Sequence, residues 1–389
     1  MKFLNLSQSL AERDSLGETR QREVLQSAQG RKISLGGQTY VNFASNDYLG
    51  LAALESTQSS VLELLPSTGV GSGASHMICG HHQLHELFEH QLAGFLQRQA
   101  ALTFTCGYMA NLAVLQALAR KGDLLISDKL NHASLIDGAQ LSQADSKRYP
   151  HCDLTALENR LKRSSQNTFV VTDSVFSMDG DIAPLTEIAE LCDKYNALLI
   201  VDDAHGFGVL GTNGQGCCEH FQLNQQQVPV LMSTFGKALG GFGAAVSGEK
   251  ILIDYLIQFA RSYIYTTALP PMIAAVNLHH LQVLMNGPER VNKLRQNIAY
   301  FQQLCLQQKI PLLASSTAIQ PVVVGDNQTV LRLGERLRAY GVLVGTIRPP
   351  TVPPNSARIR ITLTSEHLKS DIEQLVNALD KCLQQNDQN

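Results

Sequence analysis

Two stretches of this 389-residue chain decide its fold: Ala197-Leu198-Leu199-Ile200-Val201 running into Asp202-Asp203-Ala204-His205-Gly206, and Val228-Pro229-Val230-Leu231-Met232 running into Ser233-Thr234-Phe235-Gly236-Lys237. Each is a short apolar run, as expected of a strand buried on both faces, followed at once by polar and small residues. The same rhythm recurs outward from this pair at Ala101–Thr105, Leu124–Ser127, Thr168–Thr172 and Gly243–Ser247, with helical patterns such as Asn111–Ala119 and Pro184–Tyr195 between. That alternation predicts βαβ units around a mostly parallel sheet, an α/β fold. Such sheets bind ligands beyond the carboxyl ends of their strands, so the residues directly after each run are the candidate functional ones.

Beyond Leu269-Pro270-Pro271 the rhythm changes. A long helix-like run reaches Met285, and then come a strand at Ile319–Val324, a helix at Val330–Tyr340 closed by Gly341, strands at Val342–Ile347 and Arg358–Leu363, and a helix beginning near Ser365 as its N-cap. We therefore expect a smaller α+β domain over residues 271–389, a large α/β domain over 46–270, and an N-terminal arm over 1–45 that is polar and mostly helix-compatible. The length agrees with two or three folding units at roughly 100–200 residues each.

Composition removes several classes. Hydrophobic residues make up 44% of the chain and charged ones 17%, too apolar for a disordered protein. The 31 Lys and Arg against 34 Asp and Glu leave a net charge of −3, so no global field draws nucleic acid or an anionic membrane. Eight scattered cysteines without a CxxC pair read as free thiols. The N-terminal segment has no secretory pattern, and no stretch approaches the ~20 apolar residues of a membrane span. A soluble, cytoplasmic location is the expectation.

The strand ends carry the chemistry. Two carboxylates and an imidazole at Asp202, Asp203 and His205 are costly at a strand end unless solvated, paired or used; a helix cap in a solvated loop is the plain alternative, and no further ligands nearby complete a metal site. Ser233, Thr234 and Lys237 stand in a loop followed by Gly240, Gly241 and Gly243, where hydroxyls suit a phosphate and a lysine suits a carbonyl. A Walker-type loop is excluded because Leu231 occupies its first glycine position. A lone lysine there is more often a surface residue, but it stands one strand after the Asp–His pair. Gly107 and Tyr108 open a helix whose N-terminal amides favour an anion. Asn131-His132-Ala133-Ser134 and Val175-Phe176-Ser177-Met178-Asp179-Gly180 are weaker signals. A Schiff-base-capable lysine, an acid for a ring nitrogen and several phosphate donors are the parts that hold pyridoxal phosphate.

With these residues in view, DDAHG at 202–206, TFGK at 234–237, FSMDG at 176–180, NHAS at 131–134 and TTALPP at 266–271 stand in the order and spacing of the α-oxoamine synthases, which the chain resembles from about Asn42 onward. The resemblance implies a fold-type-I pyridoxal-phosphate transferase, a homodimer, and an acyltransferase that joins an amino acid to an acyl thioester with loss of carbon dioxide. It implies that Lys237 forms the internal aldimine and later removes the α-proton, and that Asp202 partners the pyridinium. His205 would bond the ring oxygen, and His132 would stack on the ring and assist decarboxylation. Gly107, Tyr108, Ser177 and Thr234 would contact the cofactor, largely at the phosphate, and Thr266 and Thr267 would come from the second subunit. Arg360 would hold the amino-acid carboxylate, with Thr351 and Arg20 toward the acyl substrate. Arg348-Pro349-Pro350-Thr351-Val352-Pro353 and Arg358–Leu363 most resemble members that condense L-alanine with a pimeloyl thioester in biotin synthesis, the carrier, coenzyme A or a carrier protein, staying open. The family usually has Glu where this chain has Asp173.

Rival readings are a related synthase using glycine or serine with another acyl chain, and a non-catalytic pyridoxal-phosphate-binding regulator; the absence of a basic patch speaks against the second. Gly69-x-Gly71-x-x-Ala74 imitates a dinucleotide fingerprint, but Leu64–Thr68 before it is a poor strand. His81, His82, His85 and His90 cluster at helical spacing; a solvated helix face is preferred to a metal site, so no metal is expected.

Overall fold

The computed structural model describes residues 5–163 and 167–384. Among them twelve strands run in chain order: β1 (Lys32–Leu35), β2 (Gln38–Phe43), β3 (Ala100–Phe104), β4 (Leu124–Asp128), β5 (Asp145–Tyr149), β6 (Thr168–Asp173), β7 (Leu198–Asp202), β8 (Val230–Thr234), β9 (Ala244–Gly248), β10 (Ile319–Gly325), β11 (Val342–Ile347) and β12 (Ala357–Thr362). The chain divides into two compact units: a terminal unit of residues 1–50, 178–181 and 293–389, and a central unit of residues 51–177 and 182–292. No helix among the described residues is long and apolar enough to cross a membrane, and all eight cysteines are free thiols.

The central unit is built on a seven-stranded sheet of order β3-β9-β8-β7-β6-β4-β5. Strands β5, β4, β6, β7 and β8 are mutually parallel, and β9 runs antiparallel between β8 and β3. Two antiparallel steps restore the direction, so β3 points the same way as β8 and the carboxyl ends of β3, β4, β6, β7 and β8 share one edge. The interior strands β4 and β6 are buried at every position, which is why they read as mostly apolar runs with small hydroxyls, each ending in a single acid. Strand β5, Asp-Ser-Lys-Arg-Tyr, is missing from the sequence reading because it is the outermost strand with four of its five residues exposed. Its charges fit an edge that must not pair further.

The helix Pro271–Met285 belongs to the central unit, where it packs on the helices Glu55–Thr68 and Gln83–Phe95. The change of rhythm at Pro270 thus marks a helix start, with proline in its first turn, and residues 271–292 lie outside the terminal unit. Leu64–Thr68 is the last turn of the helix Glu55–Thr68, so the Gly69–Ala74 glycines do not follow a strand.

The terminal unit holds a five-stranded sheet of order β1-β2-β11-β12-β10. Among the described residues, those up to 40 contain one helix, Leu6–Ser15, and then the antiparallel β1–β2 pair, whose second strand lies parallel to β11 with Val41 beside Val342. The expectation of a mostly helical arm is corrected here: β1 and β2 are short, and only Val41, Asn42 and Phe43 of β2 are buried, so their apolar pattern is faint. The last helix starts at Lys369 rather than at Ser365. The Ser365 hydroxyl donates to the Leu49 carbonyl at 2.8 Å and caps nothing.

Candidate active site

In the central unit the sequence-predicted residues other than Thr266 and Thr267 stand at or just past strand ends on the common edge. Asp202 ends β7 and is 4% exposed. Its two carboxylate oxygens are held by different donors: the Asn111 amide reaches Oδ2 at 2.7 Å and the Ala204 N–H reaches Oδ1 at 2.9 Å. A buried carboxylate survives only with such partners. The second hydrogen of the Asn111 amide goes to Ser134 Oγ at 2.8 Å, and Ser134 Oγ lies 2.7 Å from His132 Nδ1. Asn111 therefore orients Asp202 and, through Ser134, His132.

The Ser134 N–H also donates to His132 Nδ1, 3.3 Å away, which makes Nδ1 an acceptor and leaves the ring proton on Nε2. Burial lowers the His132 pKa; the Asp202 charge opposes that shift and Lys237 adds to it. The His132 ring meets the edge of Tyr108, whose hydroxyl donates to Asp137. Asp173, at the end of β6, lies beside Asp202 across the parallel register and accepts the His132 N–H at 2.8 Å. Burial first, and then the Asp202 charge, push the Asp173 carboxyl well above the usual range. Asp203 plays a different part. Its carboxylate accepts from Ser174 Oγ and the Cys217 N–H, fastening the loop after β7, and burial pushes its pKa up to about 7.

Lys237 follows β8, is half-buried, and places Nζ 2.9 Å from His205 Nε2. Ser177 and Thr234 are also half-buried, and the Thr234 hydroxyl donates to the Gly243 carbonyl. The helix Gly107–Leu118 begins beside Thr234: a Cβ added to Gly107 would sit 3.8 Å from Thr234 Oγ1. Cys106 supplies no side-chain cap to that helix, so its first turn presents amides to an anion. A buried carboxylate, a lysine and an uncapped helix end beside a hydroxyl fit the ring nitrogen, aldehyde and phosphate of pyridoxal phosphate. Thr266 and Thr267 lie in the extended segment after the short helix Arg261–Ile264, Thr267 exposed, and make no hydrogen bond to this group among the described residues of the single chain.

The terminal unit carries the remaining candidates. Arg360 on β12 is 7% exposed, and both of its terminal nitrogens reach Asn46 Oδ1 at 3.1 Å. Burial raises the Tyr48 pKa, and Arg360 opposes that shift. Arg20 donates to the Thr351 hydroxyl at 3.3 Å, so two residues 331 positions apart meet as one polar pair. Arg358 pairs with Asp179 of the FSMDG segment, whose Gly180 (φ +74°) stands where a Cβ would strike the Ile319 carbonyl. Sequence reasoning assigned no role to Asn46, Asn111 or Ser134, although Ser134 lay in the Asn131–Ser134 motif and Asn111 in the Asn111–Ala119 helical pattern. Asn111 stands one helical turn after Gly107, a spacing that puts both at the start of one helix, and that was its only local signal.

Comparison with known proteins agrees with this geometry. Residues 38–379 match the family of class I and II aminotransferases. The chain is 46% identical over 377 residues to the 8-amino-7-oxononanoate synthase of Marinobacter nauticus, covering 97% of this chain and 96% of that one. It is 48% identical over 375 residues to the enzyme of the same name from Methylobacillus flagellatus, covering 96% and 94%. Among solved structures, Sphingomonas wittichii serine palmitoyltransferase superposes with a TM-score of 0.94 at 28% identity, covering 99% of this chain and 98% of that one. The 8-amino-7-oxononanoate synthase of Francisella tularensis superposes with a TM-score of 0.78 at 34% identity, covering 89% and 98%. A lysine just past a strand end, in the same unit as a held carboxylate and on a fold shared over most of its length with these proteins, places the chain among the pyridoxal-phosphate-dependent class I and II aminotransferases, and within them it belongs to the 8-amino-7-oxononanoate synthase family.

Proposed function

We propose that this chain joins L-alanine to a pimeloyl thioester, with loss of carbon dioxide and release of the thiol, to give 8-amino-7-oxononanoate for biotin synthesis. The observation that carries the reading is the buried Asp202 carboxylate, oriented by Asn111, in the same site as Lys237 and His205. When bound, pyridoxal phosphate links to a lysine amine and withdraws electrons from the amino acid's α-carbon. Asp202 would pair with its ring nitrogen, His205 with its ring oxygen, and Gly107, Tyr108, Ser177 and Thr234 would surround its phosphate.

Lys237 would hold the cofactor, and its Nζ would remove the α-proton of alanine. The α-carbon then attacks the thioester carbonyl, the C–S bond breaks, and the sulfur leaves as thiolate to be protonated. The acylated product holds the original carboxylate β to a new ketone, and His132 Nε2–H donates to an oxygen of that group as carbon dioxide departs. Lys237 returns its proton to the same carbon, and solvent supplies the proton taken up by the thiolate, so atoms and charge balance. Arg360 would hold the alanine carboxylate with a planar two-pronged donor, which suits that geometry better than a lysine. Arg20 and Thr351 would meet the acyl substrate. We further propose a cytoplasmic homodimer in which Thr266 and Thr267 complete the partner's site; eight free thiols suit a reducing compartment.

One observation favours a second reading, serine or glycine with a different acyl thioester: the close superposition on serine palmitoyltransferase. Turnover of alanine, glycine and serine against short, pimeloyl and long acyl thioesters separates the two. Carbon dioxide release with alanine and pimeloyl thioester alone supports the first; release with serine and a long-chain thioester replaces it. No release with any pair leaves the non-catalytic alternative.

A further inference from the structure

The histidine-rich segment before the helix Gln83–Phe95 is not used by the chemistry above, and it does not form the solvated helix face expected of it. His82 caps the helix, accepting the Leu84 N–H, while His85 Nδ1 accepts the His82 N–H and Nε2 donates to the Leu269 carbonyl at 2.7 Å. Both nitrogens of His85 are occupied, so it is structural. His81 stands apart at the helix entry: its Nε2 lies 3.1 Å from Glu86 Oε2, and its Nδ1 lies 2.9 Å from His76 Nδ1. Glu86 and Glu89, three positions apart, share a helix face. Ligand atoms of His81, Glu86 and Glu89 all lie within 4.8 Å of one another. The three line a cavity of about 560 Å³ in the central unit.

Three features go beyond a chance meeting of acids. Glu89 is 9% exposed, and both hydrogen bonds it receives, from Thr103 N and Oγ1, fall on Oε1, so its carboxylate is fixed while Oε2 keeps its lone pairs. The cations lining the same cavity are engaged elsewhere: Lys250 pairs with Asp254, and Arg98 donates to the Val228 carbonyl and Cys218 Sγ. His76, stacked on Tyr263 with ring planes 12° apart, holds His81 from the nitrogen opposite Glu86. An imidazole fixed through its far nitrogen, with a carboxylate fixed by a backbone amide and a hydroxyl, is the arrangement that supports metal ligands from outside.

We propose that His81 Nε2 and the carboxylates of Glu86 and Glu89 bind a first-row divalent transition ion such as Zn2+, with His76 orienting His81 and water completing the coordination. Two carboxylates balance the ion's charge, and mixed nitrogen and oxygen donors suit this class. The ion would replace the proton between His81 and Glu86. It would also join the entry segment to the helix beside the loop that carries Thr266 and Thr267, since Ala268 N bonds the Ala74 carbonyl and His85 bonds Leu269.

The test is calorimetric titration of untagged, chelator-treated holoenzyme with Zn2+, paired with Co2+ absorption as a report on nitrogen and oxygen coordination. We expect one saturable site per chain, and at least ~10-fold weaker binding in His81→Ala and in the exposed, structurally mild Glu86→Gln. Cys152→Ser, in the separate Asp128–His151–Cys152 group, should leave binding unchanged. Equal affinity in wild type, His81→Ala and Glu86→Gln overturns the proposal, as does the lack of saturable binding up to millimolar Zn2+ or loss of the site in Cys152→Ser.

Discussion

Asn111→Ala tests whether Asp202 is held ready or merely present. The Asn111 amide donates to Asp202 Oδ2 at 2.7 Å, one of two donors on a buried carboxylate, and its other hydrogen feeds the Ser134–His132 pair. A hydrogen bond to a charged group contributes about 1.5–3 kcal/mol. If that full energy serves to keep the carboxylate aimed, its loss converts to a roughly 10–150-fold fall in activity, at 1.36 kcal/mol per decade. Because Asn111 touches Asp202 and not the reacting atoms, the loss should fall on kcat and on cofactor affinity. KM for the acyl thioester, which we propose is read by Arg20 and Thr351 on the terminal unit, should stay within about twofold, since that pair shares no hydrogen bond with Asn111. Ser134→Ala removes only the branch to His132, so it should lower kcat and spare cofactor affinity. The assay is steady-state turnover of alanine and pimeloyl thioester, with cofactor affinity taken from titration of the visible absorbance. Unchanged cofactor affinity with kcat within about threefold of wild type in Asn111→Ala would refute the argument that Asn111 sets the position of Asp202.

Other substitutions separate the two ends of the site. Arg360→Lys keeps the charge but loses the two-pronged contact, so KM for alanine should rise ~10-fold or more with the thioester KM little changed; an unchanged alanine KM removes Arg360 from carboxylate binding. Arg20→Ala should do the reverse, raising the thioester KM by a few-fold as the exposed contact to Thr351 is lost, and an equal effect on alanine would count against that assignment. His367 gives a pH prediction: it is fully buried, accepts the Thr364 N–H on Nδ1, donates from Nε2 to the Asn42 carbonyl, and burial lowers its pKa to about 4. The folded state then binds fewer protons than the unfolded one. Stability is fully present above about pH 6.5 and falls as pH drops toward 4, by up to ~3 kcal/mol from this residue. Thermal unfolding of wild type and His367→Gln between pH 7 and 4 should show the shallower decline in the variant; parallel curves would rule the mechanism out.

The central sheet was legible because its interior strands are buried on both faces and write themselves as mostly apolar runs, and because parallel strands put their polar residues at one edge. Lys237, Asp202, His205 and His132 could therefore be located by looking just past each run. Structure was hidden where burial is partial or one-sided: β5 is polar as an edge strand must be, and β1 and β2 bury little. The family too was written in short local motifs, DDAHG and TFGK above all, because each must shape a single turn around one group.

The contacts that make these residues a site belong to the tertiary structure. Asn111 and Asp202 are 91 positions apart, and Arg20 and Thr351 are 331 apart. A hydrogen bond between distant residues depends on strand order and helix placement, and no local period encodes it. The histidines of 76–85 show the same limit: sequence spacing left a helix face preferred to a metal site, whereas folding fixed which partner each ring nitrogen meets and set Glu86 against His81 Nε2. Substrate choice divides in the same way, since the backbone superposes on serine palmitoyltransferase while the identity lies with the 8-amino-7-oxononanoate synthases. A shared backbone positions the common chemistry, and the side chains lining it choose among acids and acyl chains.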